Sequence, residues 1–256
     1  MPATARARAV VPLLPESFTP AARRALMRAD PVLGALMKRV GPLQLQMKPL
    51  HSPFSALAES IVYQQLHGRA AATIFGRLCE RVGHGAALTP EALLATPDTA
   101  LREAGLSAAK LAAVKDLAQK TREGTVPTLA QVHKMDDAEL IERFTQVRGI
   151  GQWTVEMLLI FRLGRPDVLP VDDYAIRKGF MLMQGLEESP RPREVLAYGE
   201  RWRPWRTVAS WYLWRSLDTP QPQEALEPSR SARPQSPQAR KSKLRTSSSV
   251  TGRKSE

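Results

Sequence analysis

Two short stretches of this sequence hold residues with the means to do chemistry. One is Val147-Arg148-Gly149-Ile150-Gly151-Gln152-Trp153-Thr154, a Gly-x-Gly turn where one helix ends and another begins. Glycine tolerates positive φ and lets a second surface approach the backbone. The amides that open the new helix carry partial positive charge, so such a turn can hold a phosphate without side-chain charge. The same triplet also makes an ordinary tight helix–helix turn, and alone it does not decide between the two. The other stretch is Leu169-Pro170-Val171-Asp172-Asp173-Tyr174-Ala175-Ile176, with two adjacent carboxylates. A carboxylate in front of a helix either caps it or stands free for electrostatic or acid–base work. Trp153, Met157 and Ile160 share one helical face, a pattern that core packing also produces. Metal chemistry finds little support: His51, His67, His84 and His133 show no HxxxH or HExxH spacing, and Cys79 is the single cysteine. One thiol cannot build a cysteine zinc site, an internal disulfide or a four-cysteine iron–sulfur cluster.

The elements that must position these residues read as helices throughout. Ser52-Pro53 looks like a cap followed by proline at the first helical position, with Phe54, Leu57, Ile61 and Leu66 at helical spacing. Arg69–Val82 continues to a stop near Gly83. Thr89-Pro90, Thr96-Pro97 and Ser107 open three more helices, the last reaching about Glu123. Asp136–Phe144, Gly151–Leu163, Tyr174–Gln184, Arg193–Trp202 and Trp205–Leu217 complete the pattern. No segment has the period of two that a strand requires. The hairpin occupies about residues 145–160.

The 256 residues carry 37 Lys and Arg against 25 acids, a net +12. Such an excess suits a polyanion, most simply nucleic acid. Part of it sits in Pro220–Glu256, where eight Lys and Arg face three acids for a net +5. Rich in Ser and Pro and without aromatics, that tail is expected to be disordered, serving as a weak DNA arm or no more than a solvated end. No apolar run suffices to span a membrane, and the Arg-containing N-terminus lacks the apolar segment of a signal peptide. The expectation is a reduced, intracellular, DNA-associated protein that is not secreted.

Taken together, Gly149-Ile150-Gly151-Gln152-Trp153-Thr154, the Asp172-Asp173 loop, Tyr198–Arg206 followed by Trp211 and Trp214, and Ser60-Ile61-Val62-Tyr63-Gln64-Gln65-Leu66 followed by Ala70-Ala71 resemble the 3-methyladenine DNA glycosylase II family. These alkylpurine glycosylases belong to the helix-hairpin-helix base-excision enzymes. The resemblance spans about residues 50–217. It implies an all-α fold of two helical subdomains flanking a DNA-binding cleft. The division would be 1–50 as an N-terminal extension and helices packing on the core, 51–217 as glycosylase core, and 218–256 as tail. The β-domain that precedes the core in the known bacterial type finds no room here.

The roles implied by the resemblance are specific. Asp173 becomes the catalytic carboxylate, under a sugar that turns oxocarbenium-like as the base leaves; Asp172 is left as the helix cap. Trp153 and Trp214, with Met157 and Tyr174, would form the base pocket, Met157 standing where the best-known relative has tyrosine. Trp202, Trp205 and Trp211 are assigned to the core. Leu66 would intercalate, with Gln65 reaching the opposite strand and His67 close by. The amides of Gly149, Gly151 and Thr154, with Arg148, Arg69, Arg177 and Lys110, would hold the DNA backbone. Bifunctional relatives carry a lysine where this chain has Trp153, which implies a monofunctional enzyme without lyase activity. No cofactor is required, no iron–sulfur cluster is expected, and a structural Na⁺ or K⁺ would sit on the carbonyls of Thr145, Val147 and Ile150. The expected partner is damaged double-stranded DNA, bound by a monomer without membrane contact. The alternatives are a glycosylase for deaminated or oxidised bases and a non-catalytic helix-hairpin-helix DNA-binding protein.

Overall fold

Apolar residues three and four apart, with a Ser, Thr or Asp in front and often a proline at the first position, start most of the helices. A computed structural model describes Phe18, residues 20–83 and residues 87–218. The expectations for the N-terminal residues 1–17 and for the basic tail from Pro220 lie outside them. The chain runs α1 (Pro20–Ala29), α2 (Pro31–Val40), α3 (Pro53–Tyr63), α4 (Gly68–Gly83), α5 (Pro90–Ala95), α6 (Asp98–Glu103) and α7 (Ala108–Arg122). It continues through α8 (Leu129–Val132), α9 (Asp137–Thr145), α10 (Gln152–Phe161), α11 (Tyr174–Gln184) and α12 (Pro192–Gly199) to a 3₁₀ turn (Glu200–Trp202) and α13 (Arg206–Ser216). Among the described residues there is no strand. Asp30, Ser52, Thr89, Ser107 and Asp136 cap α2, α3, α5, α7 and α9 through their side-chain oxygens. Each such cap contributes about 1 kcal/mol. The short α8, closed by a Thr128–Gln131 capping box, escapes the apolar spacing because four residues show no period.

The helices pack in two groups. In the first, α3 lies on α4 and α7, and α5 and α6 close around α7; in the second, α1 and α2 pack with α11 and α13. The hairpin pair α9 and α10 pack on each other, and one continuous apolar core runs through both groups. The tightest crossing is α11 on α13. A Cβ at Gly179 would come within 2.2 Å of the Leu213 carbonyl oxygen, so only glycine allows this approach. Trp202 and Trp211 are buried and Trp205 packs against the core, in their expected places. Trp202 donates its indole N–H to Asp30 Oδ2 at 2.9 Å, joining the 3₁₀ turn to the start of α2.

One boundary differs from the sequence pattern. The apolar spacing carries the third helix on to Leu66, but α3 stops at Tyr63. Gln65 has φ +56°, the left-handed region, and is the one non-glycine residue among those described to adopt it. A helix cannot propagate through that conformation. Leu66 therefore sits in a loop, 39% exposed, instead of closing a buried helix face.

Candidate active site

The loop between α10 and α11 delivers the carboxylates, and several side chains fix it. Arg206 Nε donates to Asp167 Oδ1 at 2.7 Å. Buried Thr207 accepts from the Val168 amide at 3.0 Å and donates to the Arg165 carbonyl at 2.6 Å, while Ser210 donates to the Val168 carbonyl at 3.1 Å. A loop tied this way at its backbone presents its last residues in one orientation.

Those last residues correct one expectation. Asp173, not Asp172, caps α11: its Oδ1 accepts from the Ile176 amide at 3.0 Å, and Asp172 is exposed. The other oxygen, Oδ2, accepts the indole N–H of Trp153 at 2.7 Å. Capping and chemistry are therefore not alternatives here. A cap needs one oxygen, and the second remains to be aimed by Trp153. Both oxygens are held, so the carboxylate cannot rotate, yet each retains a free lone pair.

Trp153 also lines a cavity of about 490 Å³ with Ser60, Tyr63, Gln64, Gln65, Thr154 and Met157. Trp153 is 48% exposed, Met157 is partly buried and Ile160 is fully buried. The face that these three share thus runs from solvent into the core along α10. Ser60 and Tyr63 are wall residues that the spacing arguments did not single out, although both fall within the Ser60–Leu66 motif. Trp214 and Tyr174 are not on this wall. Trp214 stacks on Phe161 with centroids 5.7 Å apart and packs against the core. Tyr174 is 70% exposed, because the first position of α11 points it away from the core beside the cap.

A third carboxyl within electrostatic reach of Asp172 and Asp173 has no signal in the sequence. Glu156 is buried on α10 and accepts from Gln152 Nε2 at 2.9 Å. Burial, reinforced by the charges of Asp172 and Asp173 and opposed by the Gln152 hydrogen bond, pushes its carboxyl up to about 6.

The hairpin turn has the backbone that its glycines suggested. Gly149 has φ +79°, and among the described residues nothing accepts from the amides of Gly149 and Gly151. The Thr154 amide is instead spent on the Gly151 carbonyl at 3.0 Å, which removes it from the expected phosphate donors. Arg148 is exposed, with its amide fixed on Asp116 Oδ2 at 2.7 Å. Arg69 is exposed on α4; Arg177 is partly buried on α11, and its Nε has no partner among the described residues. Lys110 departs further from expectation: its ammonium is occupied by two protein carbonyls.

A helix-hairpin-helix turn with free amides, followed by a loop that places an aspartate on the pocket tryptophan, defines a class. Residues 58–204 match the model of the HhH-GPD superfamily base excision DNA repair protein, and the chain belongs to that superfamily. Within it, DNA-3-methyladenine glycosylase 1 of Schizosaccharomyces pombe is 42% identical over 164 residues, 64% of this chain and 72% of that protein. The structure of the Schizosaccharomyces pombe 3-methyladenine DNA glycosylase in complex with abasic DNA matches with a TM-score of 0.65 at 38% identity, covering 76% of this chain and 95% of that one. A DNA-3-methyladenine glycosidase from Bacillus halodurans matches with a TM-score of 0.70 at 35% identity, covering 77% and 89%.

Proposed function

We propose that this protein is a DNA-3-methyladenine glycosylase that hydrolyses the N-glycosidic bond of alkylated bases in duplex DNA and so initiates base excision repair. The observation that carries the reading is the Asp173–Trp153 bond, which fixes a carboxylate against a tryptophan that lines a cavity with Tyr63 and Met157. A methylated purine such as 3-methyladenine or 7-methylguanine is cationic, and an indole face attracts it with roughly 0.5–2 kcal/mol. The base leaves as a neutral species, so no general acid is required. Positive charge passes to the sugar, where Asp173 stabilises it and orients or deprotonates the attacking water.

The base reaches the pocket by leaving the stack. Leu66, exposed in the loop after α3, fills the gap, and Gln65 at the left-handed tip faces the opposite strand. The hairpin amides of Gly149 and Gly151 hold a phosphate, and Arg148, Arg69 and Arg177 add charge along the backbone. A monovalent cation fits the turn: the Val147 carbonyl already accepts from the Ile150 amide at 3.0 Å and keeps a second lone pair. Thr145 and Ile150 would supply the remaining carbonyls, and the ion would add positive charge beside the phosphate. Trp153 occupies the hairpin position of the lyase lysine, so the strand is left intact at an abasic site. The protein acts on DNA as a monomer. Among the described residues, no helix is long and apolar enough to cross a membrane.

The test is base release from methylated duplex DNA by wild type and Asp173→Asn in parallel. Asn keeps the cap and the shape but loses the charge and the acceptor for the Trp153 indole N–H, and release is expected to fall by about 10²–10³-fold with duplex binding retained. Equal turnover by the two proteins would remove Asp173 from the chemistry. No release by either, with binding intact, would leave a DNA-binding module or a different lesion. Borohydride trapping of a protein–DNA adduct would contradict the monofunctional assignment.

A further inference from the structure

Lys110 occupies a position that its own helix does not explain. It lies in the first turn of α7, where the helix dipole disfavours a cation. Its Nζ reaches across to the end of α3 and donates to the Val62 carbonyl at 2.6 Å and the Gln64 carbonyl at 2.9 Å. That end is where a cation is favoured, because the last carbonyls of a helix lack partners. Burial lowers the pKa of the ammonium, the mark of a charge drawn out of water toward those carbonyls.

The same loop is held from the other side. Gln64 Nε2 donates to the Gly149 carbonyl of the hairpin at 2.8 Å. Directly after these two attachments, both of which hold Gln64, the chain makes the left-handed turn at Gln65 and exposes Leu66. A non-glycine residue stays in that conformation only where its surroundings over-determine it. Lys110, Gln64, Gln65, Arg148 and Gly149 also line one small cavity, so the loop, the start of α7 and the hairpin meet there.

We propose that Lys110 and Gln64 are positioning residues that latch the Gln64–His67 loop to the hairpin, so that the phosphate grip and the Leu66 wedge engage the duplex as one rigid unit. The proposal rests on the reading of Leu66 as the wedge. It assigns Lys110 a role distinct from a phosphate contact: its charge serves the protein backbone. Without the latch the Gln65 turn relaxes, and Leu66 no longer enters the stack at a fixed distance from the held phosphate.

The experiment uses lesion-bearing duplexes with 2-aminopurine beside the lesion, whose fluorescence reports flipping, together with single-turnover base release. Lys110→Met and Gln64→Met each remove the donors while keeping length. Each is expected to slow flipping and release roughly tenfold, the size of one or two lost charge-assisted or buried hydrogen bonds. Combining Lys110→Met with Leu66→Ala is expected to be no slower than Leu66→Ala alone. The salt dependence of duplex binding is expected to match wild type. A log–log salt slope shallower by about one would make Lys110 a phosphate contact and overturn the latch, as would additive losses in the double variant. Wild-type flipping by Lys110→Met beside an impaired Leu66→Ala overturns the latch alone. Wild-type flipping by Leu66→Ala overturns the wedge reading and the latch with it. If thermal unfolding shows that Lys110→Met does not fold, Gln64→Met decides by the same criteria.

Discussion

The protein contains the same aspartate–tryptophan device twice. Asp30 caps α2, its Oδ1 accepting from Val32 and Leu33, while its Oδ2 takes the indole N–H of Trp202. Asp173 caps α11 with Oδ1, while its Oδ2 takes the indole N–H of Trp153. Asp30 and Trp202 are 1% and 0% exposed; Trp153 is 48% exposed and lines a cavity. Identical hydrogen bonding thus ties the 3₁₀ turn to the start of α2 in one place and fixes a carboxylate against a cavity-lining tryptophan in the other. Geometry fixes the carboxylate in both. Exposure of the tryptophan separates the buried anchor from the pair proposed for catalysis.

Substitutions at the two sites should therefore diverge, and the largest divergence is between the carboxylates. Asp173→Asn is expected to lose the catalysis described above and little stability, because an amide oxygen still caps α11. Asp30→Ala leaves two helix amides and a buried indole N–H unpaired, a cost of about 3 kcal/mol. Urea unfolding should detect that loss, while the fraction still folded releases base at the wild-type rate. If Asp30→Ala instead lost activity at full stability, the two sites would not differ as argued.

The tryptophans sharpen the contrast at smaller magnitude. Trp153→Phe keeps an aromatic face for the base but releases Asp173 Oδ2. Single-turnover release should slow roughly tenfold, near the lower end for a hydrogen bond to a charged group in a half-exposed setting. Trp202→Phe should lower the midpoint of unfolding and leave release untouched.

The smallest effect concerns Glu156, the buried carboxyl on α10 that feels the charge of Asp173. Its pKa rises from the ordinary 4.5 to about 6 on folding. Between those values the folded state binds more protons than the unfolded state, so stability falls as pH rises through this window and levels off above it. At about 1.4 kcal/mol per pKa unit, Glu156→Gln should be more stable than wild type at pH 7 by on the order of 1–2 kcal/mol. The two proteins should converge below pH 4.5. Denaturation curves across this range give the difference directly, and a constant offset would exclude ionisation of Glu156 as its source.

Much of the fold was legible because its signals are local. Caps at Ser52, Thr89, Ser107 and Asp136 and the apolar spacing along α3, α9 and α11 depend only on neighbours along the chain, so they survive without tertiary knowledge. The positions of α1 and α2 were less visible, and α8 was missed, since short or N-terminal helices take their stability from what they pack on. At the site, the family resemblance singled out Asp173 and Trp153, but the sequence reading divided capping and catalysis between two aspartates. A linear reading treats a carboxylate as one group, whereas folding gave its two oxygens separate partners.

By itself, then, the sequence determined an all-helical chain with a Gly149-x-Gly151 hairpin, an aspartate at a helix start and a basic surplus, since propensity, capping and charge belong to the residues. Only the tertiary structure decided that Trp214 supports Phe161 outside the cavity wall, that Lys110 serves the end of α3, and that Leu66 stands exposed at a left-handed turn. Each of these depends on groups distant along the chain, and on carbonyls and surfaces whose availability is set when helices pack.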